Sequence, residues 1–421
     1  MANISAKKNN VSITNNKSHT TMKADLVYMN DGVRICSEAC SCCWDKADPE
    51  TYEEKVEYLG KRCKTGHTSI LEHSNFIIHI KLDSNLDNDD VRDVSDALCS
   101  ARYINGAVVR HDSNNNLHLL IGGSYRGYEE LFKLSTDPYN NSVLRTIAGA
   151  MYQNLDSRLF YSLCKDNILN KDSFLNVEPD PVSKYFNPRP STPYYESDKI
   201  KIFSIDNINI IRDNLLNIIG EDIFTENDIS RVATISILFK DMSRTATHQL
   251  VRHRNAITQE SQRYVDYGDA TFADPVFYNP DRYDADTEYT IHFFGQTFTG
   301  RSDEIGKQLV GIYNDLREQG MLKEDARAFL PSNVKCRKLY MTFTYKNFLK
   351  FLELRCDKAA QSEIRSYAID CRDAFISISN NLIDPFTKAD KSNGPDEIIS
   401  DKEVILNEII KNEPELSEEN Q

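Results

Sequence analysis

The sequence predicts a fold of the α/β (α+β) class, in which strands and helices both build the core, and three stretches carry that reading. Asn75 to Leu82 (NFIIHIKL) and Ala233 to Lys240 (ATISILFK) each mix apolar, β-branched and polar residues as strands do. From Lys346 to Ile383 apolar residues recur at three- and four-residue spacing (Phe348, Phe351, Leu352, then Ile364, Tyr367, Ala368, Cys371, Phe375), the period of one long buried helix or of two in series.

Taken in order, residues 1–24 are Asn, Ser, Thr and Lys with little apolar content, so they predict a disordered N-terminal tail. Residues 25–85 form the first part of a domain. Within it Glu53 to Cys63 reads as a helix, and Gly66 breaks the pattern before His67, Ser69, Glu72 and His73. About 150 residues separate the two strand-like runs. They include a helical candidate, Ser142 to Cys164, and a Pro-rich section, Pro179 to Pro193, so 86–228 reads as a mainly helical insertion. If the two runs pair, such an insertion must loop out of the sheet for the chain to return in register. It contains SDALCSARY (Ser95 to Tyr103) and GGSYRGYEEL (Gly122 to Leu131), where Arg102 and Arg126 either support a surface subdomain or line an approach to a site.

The second part of the domain, 229–385, resumes with the run at Ala233. Phe272 to Thr299 is aromatic and turn-rich. Asp303 to Gln319 is helical, with Ile305, Leu309, Ile312, Tyr313 and Leu316 on one face. In 386–421 ten acids against four lysines surround a short amphipathic stretch, which reads as an acidic C-terminal tail.

Composition narrows the function. With 40% hydrophobic and 27% charged residues the chain is globular. Fifty Lys and Arg against 64 Asp and Glu give a net charge of -14, which opposes long-range attraction to nucleic acid or an anionic membrane. No run of about 18 apolar residues and no secretory leader is evident, so a cytoplasmic location is expected. Ten cysteines in a chain this long read as reduced thiols. Cys36, Cys40, Cys42 and Cys43 cluster, but lack a second ligand pair at zinc spacing, and no metal site is expected.

An anionic ligand must therefore be met by a local basic pocket, and the chain has one concentrated basic stretch. Ser243 to Tyr267 reads SRTATHQLVRHRNAITQESQRYVDY. Arg252, His253 and Arg254 stand in a row, and neighbours on a helix point about 100° apart, so donors leave this segment in at least two directions. Alone, such a triplet suits a solvated turn, a nucleic-acid contact or a polyanionic small ligand.

Four patches in one order decide among these: GHTSILEH (Gly66 to His73), HQLVRHR through SQRY, EDARAFLP (Glu324 to Pro331) and LELRCDKAAQSEIR (Leu352 to Arg365). Together they resemble the flavin-dependent thymidylate synthases, whose signature is RHR followed at a short interval by Ser and then RY. The resemblance covers roughly Leu26 to Leu82 and Ile229 to Ile383. It implies an α/β fold, a mixed sheet flanked by helices, assembled as a homotetramer with active sites where subunits meet. It also implies FAD as mediator, NADPH and 5,10-methylenetetrahydrofolate as co-substrates, and conversion of dUMP to dTMP.

By the same resemblance, His67, Ser69, Glu72, Arg252, His253, Arg254, Gln259, Thr344, Lys346 and Lys350 belong to the flavin site. Gln249, Arg252, Gln259, Glu260, Ser261, Gln262 and Arg263 belong to the nucleotide site, with Arg327 reaching it from the partner subunit. Arg355 matches the arginine that favours ionisation at the uracil N3; a fixed cation there stabilises negative charge on the ring. Concentrated Arg suits a pyrophosphate and a phosphate. Ser261 reads as a phosphate contact rather than a nucleophile, since no base can be placed beside it from sequence. His67 and His73 fit the flavin site better than a metal.

The chain departs from the pattern in four places. Six residues separate Arg254 from Ser261, one fewer than the usual interval. Thr344, Tyr345 and Lys346 replace Asn-x-Arg, which loses the planar fork. LPSNVKCRKLYMT is one residue longer than its counterpart, and Ala359 stands where some members carry His. These keep two alternatives open: a related flavin and folate transferase acting on another pyrimidine nucleotide, and a catalytically silent flavin- or nucleotide-binding protein.

Overall fold

The computed structural model describes residues 5–7, 10–14, 21–82, 98, 104–128, 130, 186–187, 190, 192–253, 256–293 and 295–379. Strand and helix alternate through them in an α+β arrangement of two main sheets flanked by helices. The first sheet is ordered β1-β2-β3-β4-β6-β5, where β1 is Ser5–Lys7, β2 Asn10–Thr14, β3 Thr21–Asn30, β4 Phe76–Leu82, β5 Ile104–His111 and β6 Leu117–Gly123. A short β7, Phe186–Asn187, runs parallel to β3. The N-terminal segment expected to lack structure thus contributes β1, β2 and the start of β3.

The second sheet is ordered β11-β14-β10-β9-β8, with β8 at Tyr195–Glu196, β9 at Ile200–Ile205, β10 at Thr234–Ser243, β11 at Ala256–Gln259 and β14 at Lys335–Thr344. Its centre is the antiparallel pair β10 and β14, in register Ile237↔Met341 and Phe239↔Leu339. A hairpin of β12 (Tyr289–Phe293) and β13 (Gln296–Gly300) stands outside both sheets.

Both strand-like runs are strands, but they do not pair. β4 lies between β3 and β6, and β10 lies between β9 and β14. The described part of 86–228 therefore does not loop out of a sheet. It supplies β5 and β6 to the first and β8 and β9 to the second, followed by helix Ile208–Ile219. The reason is visible in composition: Leu119, Leu120, Ile121, Ile200 and Ile202 are apolar enough to enter the core, and all are fully buried. Ser142 to Cys164, most of 179–193 and the tail 386–421 lie outside the described residues.

The helices described end to end are, in chain order, α1 Gly32–Trp44, α2 Tyr52–Lys64, α3 Ile208–Ile219, α4 Glu226–Ser230, α5 Arg244–Leu250, α6 Pro275–Tyr278, α7 Ser302–Glu318, α8 Lys323–Ala326, α9 Tyr345–Arg355 and α10 Ser362–Ser379. Thr51 and Glu54 form a capping box at α2, which fixes its start one residue before the first periodic position. The long periodic stretch from Lys346 resolves into two helices, α9 and α10, packed on one core through Phe348, Phe351, Tyr367 and Cys371.

The two sheets are joined by polar bonds as well as by the core. Asn75 Nδ2 donates to Asp206 Oδ2 and to the Val232 carbonyl, both at 2.8 Å, and Thr234 donates to Asp206 from N and Oγ1, both at 2.7 Å. Burial pushes the Asp206 carboxyl up to about 6 against these hydrogen bonds. Beside them Gly122 lies against Val232; a Cβ on Gly122 would come 2.8 Å from the Val232 carbonyl oxygen.

Candidate active site

β10 delivers the basic stretch. Ser243 caps α5, its Oγ accepting from the Ala246 amide at 3.1 Å. The buried Glu363 of α10 accepts from Ser243 N at 2.7 Å and Oγ at 2.6 Å, so α10 fixes where α5 begins. Arg365 of the same helix donates to the Lys358 carbonyl at 3.0 Å. A 3-10 turn, Val251–His253, ends α5, and β11 returns along β14 in register Thr258↔Tyr340 and Gln259↔Leu339.

The chain leaving β11 is clamped to the end of α1. Ser261 N donates to the Cys43 carbonyl at 3.1 Å, and Glu260 N donates to the Lys338 carbonyl at 3.0 Å. Between them opens a cavity of about 380 Å³. Of the residues singled out from sequence, His67, Ser69, Gln259, Glu260, Ser261, Gln262, Arg263 and Arg327 line it.

Three arginines line this space, Arg244, Arg263 and Arg327. Glu324 holds two: its Oε2 accepts from Arg263 Nε at 3.1 Å, and its carbonyl accepts from Arg327 Nε at 3.0 Å. Arg244 donates from Nη2 to the Glu260 carbonyl at 2.8 Å and the Tyr267 hydroxyl at 3.1 Å, while its Nε is buried without a hydrogen bond. Burial raises the Glu260 carboxyl, with the Tyr267 hydroxyl and then Arg337 working against it. Ser261 Oγ accepts from the Arg263 amide at 3.3 Å, which orients its lone pairs within the loop. Such an arrangement of fixed guanidinium groups and loop hydroxyls suits a small phosphorylated ligand.

Arg327 lines the cavity of its own chain, where the resemblance implied an arginine arriving from a partner. The cause is local. α8 and the turn Arg327–Phe329 follow α7, and Val265, Tyr267, Tyr313 and Ala326 share one apolar cluster that holds this turn beside the 260–264 loop.

A second group gathers at the end of α9. Arg355, at the end of α9, donates from Nε to His253 Nε2 at 3.1 Å and from Nη2 to the Gln249 carbonyl at 3.4 Å. Gln249 Nε2 donates to Gln361 Oε1 at 2.6 Å. Burial and then the Arg355 charge pull the His253 imidazole down to about 4. Burial and then Arg252 lower the Arg355 guanidinium. Arg252 itself is exposed. Lys346 and Lys350 are exposed on α9. Gln249, Arg252, His253 and Arg355 thus gather here rather than at the cavity, and Arg254 lies outside the described residues.

Some expected ligands have structural roles. Thr344 caps α9, accepting from the Asn347 amide at 3.2 Å. Glu72 is paired with Arg126, the insertion arginine, and burial raises its carboxyl against that charge. His73 is fully buried, its Nδ1 2.9 Å from Thr342 Oγ1 and its Nε2 2.9 Å from Thr258 Oγ1, so it bolts the turn Thr68–His73 to β14 and β11. Gln259 Nε2 donates to Thr247 Oγ1 at 3.1 Å. Among the described residues no group of three or more His, Cys, Asp or Glu is arranged to hold a metal.

Sequence reasoning missed Arg244, Cys43, Trp44 and Tyr264 as cavity residues. Arg244 and Tyr264 lay inside the quoted stretch, and Arg244's place directly after a Ser N-cap was the available signal. Nothing in the sequence around Trp44 brought it to this site.

With the α+β scaffold and its arginine-lined cavity in place, comparison with known proteins finds similarity to one family. Residues 225–379 match the family described as thymidylate synthase complementing protein. The chain is 31% identical to a flavin-dependent thymidylate synthase of Pyrococcus furiosus over 161 residues, 38% of this chain and 60% of that one. It is 34% identical to that of Geobacter sulfurreducens over 139 residues, 33% of this chain and 54% of that one. Over the matched segment the chain is thus similar to the flavin-dependent thymidylate synthases, and it spans 60% and 54% of the length of these two. A UMP/dUMP methylase from Streptomyces cacaoi matches 42% of this chain and 90% of its own at 18% identity, with a TM-score of 0.31, too low to carry an argument.

Proposed function

We propose that this protein is a flavin-dependent thymidylate synthase. It methylates dUMP reductively to dTMP, with 5,10-methylenetetrahydrofolate as carbon donor, NADPH as reductant and FAD as mediator. One observation carries the reading: six of the residues that the resemblance assigns to the nucleotide, Gln259 to Arg263 and Arg327, border one cavity although 63 positions separate Arg263 from Arg327, and Glu324 bonds both arginines. A polyacidic chain of net charge -14 that gathers three arginines at a cavity has a local use for them.

In this reading Arg263, Arg327 and Arg244 neutralise the nucleotide phosphate, and the Ser261 hydroxyl and loop amides orient it. Arg355, steadied by His253 and Gln249 away from this cavity, is the residue the resemblance assigns to the uracil ring, where a fixed cation would stabilise negative charge and make C5 more nucleophilic. A bound flavin would supply the redox chemistry between NADPH and the one-carbon unit. The donor set fits such a group: the exposed Arg252 with Lys346 and Lys350 offers cations for a pyrophosphate, and His67 and Ser69 stand at the cavity. The resemblance also assigns Glu72, His253, Arg254, Gln259 and Thr344 to the flavin. Thr344 acts through the helix it caps.

We assign the active form to a cytoplasmic homotetramer. Among the described residues no helix is long and apolar enough to cross a membrane. The test is an anaerobic assay of FAD-loaded protein with NADPH, dUMP and methylenetetrahydrofolate, the nucleotides being separated by chromatography and mass. A product heavier than dUMP by one methyl group is expected. Flavin reduction by NADPH with dUMP unchanged would overturn the proposal.

A further inference from the structure

Trp44 is the one tryptophan of the chain, and it ends α1. Asp45 after it is left-handed, with φ 47, and Lys338 and Arg337 hold its carboxylate at 2.8 and 3.3 Å. This anchors the indole against Tyr264 of the cavity wall, with ring centroids 3.9 Å apart and planes at 11°. The Arg62 guanidinium lies 4.1 Å from the indole centroid. Two groups that close to one ring cannot share a face, so Arg62 and Tyr264 sandwich it. Arg62 is also 5.3 Å from the Tyr58 ring, and its Nε is buried without a hydrogen bond, as befits a cation held by aromatic faces. Tyr58, Arg62, Trp44 and Tyr264 therefore form a column from α2 to the cavity, with His67 edge-on to both Trp44 and Tyr264.

We propose that Trp44 and Arg62 are positioning residues that set Tyr264 as a stacking platform for the flat ring of the cavity's ligand. The inference rests on the nucleotide reading above. Trp44 covers one face of Tyr264, and both rings line the cavity. A tyrosine on a loop loses side-chain freedom when it binds; here the indole has removed that freedom beforehand, which favours binding. An aromatic face accepts any base, and the guanidinium of the neighbouring Arg263, over the Tyr264 ring at 5.6 Å from its centroid, is the cation that a nucleotide's phosphate would draw off that face. A ring surface next to a phosphate-binding cation is the pattern a nucleotide presents in reverse.

The test is calorimetric titration with dUMP of wild type, Trp44→Phe, Trp44→Leu and Arg62→Met, with bound FAD and thermal midpoint measured on each. Loss of a base-stacking platform predicts that Trp44→Leu weakens dUMP binding about tenfold. Trp44→Phe keeps the stack and stays within about threefold, while Arg62→Met loses about threefold. FAD content stays unchanged in all three. Trp44 emission in the wild type, a signal with one source, changes saturably with dUMP. Trp44→Leu binding dUMP as tightly as wild type overturns the inference, as does loss of dUMP and FAD together, which marks a merely structural role. Should that variant fail to fold, unchanged wild-type emission at saturating dUMP overturns it independently. Wild type that fails to bind dUMP in the calorimeter defeats the nucleotide reading itself, an outcome distinct from a failure of the variants.

Discussion

Arg355 donates from its Nε to the Nε2 of His253 at 3.1 Å, so the imidazole is a neutral acceptor there and carries its proton on Nδ1. Burial comes first and the Arg355 charge second in holding His253 down to about 4. Arg355→Ala removes the second cause and leaves the first. The expected outcome is a His253 pKa that rises from about 4 yet stays below the ordinary histidine value, read by NMR titration of the imidazole. Turnover to dTMP falls by about a hundredfold or more, the scale of losing a preorganised charge at the reacting ring, with FAD retained. An unmoved His253 titration would count against the contact, and undiminished turnover would count against the role.

Arg327 borders the same chain's cavity as Ser261 and Arg263. If it serves that site, Arg327→Ala and Arg263→Ala chains mixed in one oligomer should not rescue each other, because no chain holds both arginines. Each variant alone is expected to weaken dUMP binding by about tenfold or more, the cost of removing a charge-assisted contact. Activity recovered on mixing, at the fraction of sites that random assembly predicts, would instead place Arg327 at a neighbouring subunit's site.

Much of this was legible in the sequence, and the failures share a cause. Periodicity located α2, α7, α9 and α10 and both central strands within a few residues, because each buries a face through local spacing. What spacing does not encode is which strand pairs with which. β4 and β10 look alike as runs, yet enter different sheets because β9, from the supposed insertion, is there to pair with β10. The cavity residues from Gln259 to Arg263 were legible because they lie together on one loop. Arg244 and Trp44 were not, since their approach depends on Ser261 N meeting the Cys43 carbonyl, a contact between residues more than two hundred positions apart.

Gly122 shows how firmly β6 belongs to the core. A Cβ there would meet Val232 Cβ at 2.7 Å, its carbonyl oxygen at 2.8 Å and its Cα at 2.9 Å, and two of these are backbone atoms that cannot rotate away. Gly122→Ala is expected to destabilise the fold by about 1–3 kcal/mol, the usual range for overpacking. Chemical denaturation checks this. A change below about 0.5 kcal/mol would mean that β6 can shift away from the 231–232 turn and is not fixed in the core.

His73 supplies a pH dependence whose sign can be worked out. Burial pulls its folded-state pKa from 6.5 to about 3, so the unfolded chain binds the proton more readily between those values. Its contribution to stability is fully present above about 6.5 and is lost as pH falls toward 3. His253, lowered to about 4, has the same sign. Asp206, raised to about 6, has the opposite one: its contribution is present below 3.8 and lost as pH rises through 6. Wild-type stability against pH therefore mixes both signs, and a difference isolates His73. His73→Gln keeps a polar side chain between Thr258 and Thr342 but cannot titrate. At pH 7.5 it is expected to cost about 1–3 kcal/mol through imperfect hydrogen bonding, and that cost should shrink steadily as pH is lowered from 6.5 to 4.5. Denaturation midpoints of the two proteins across this range give the answer; a cost that stays constant would show that His73 takes no part in the acid sensitivity of the fold.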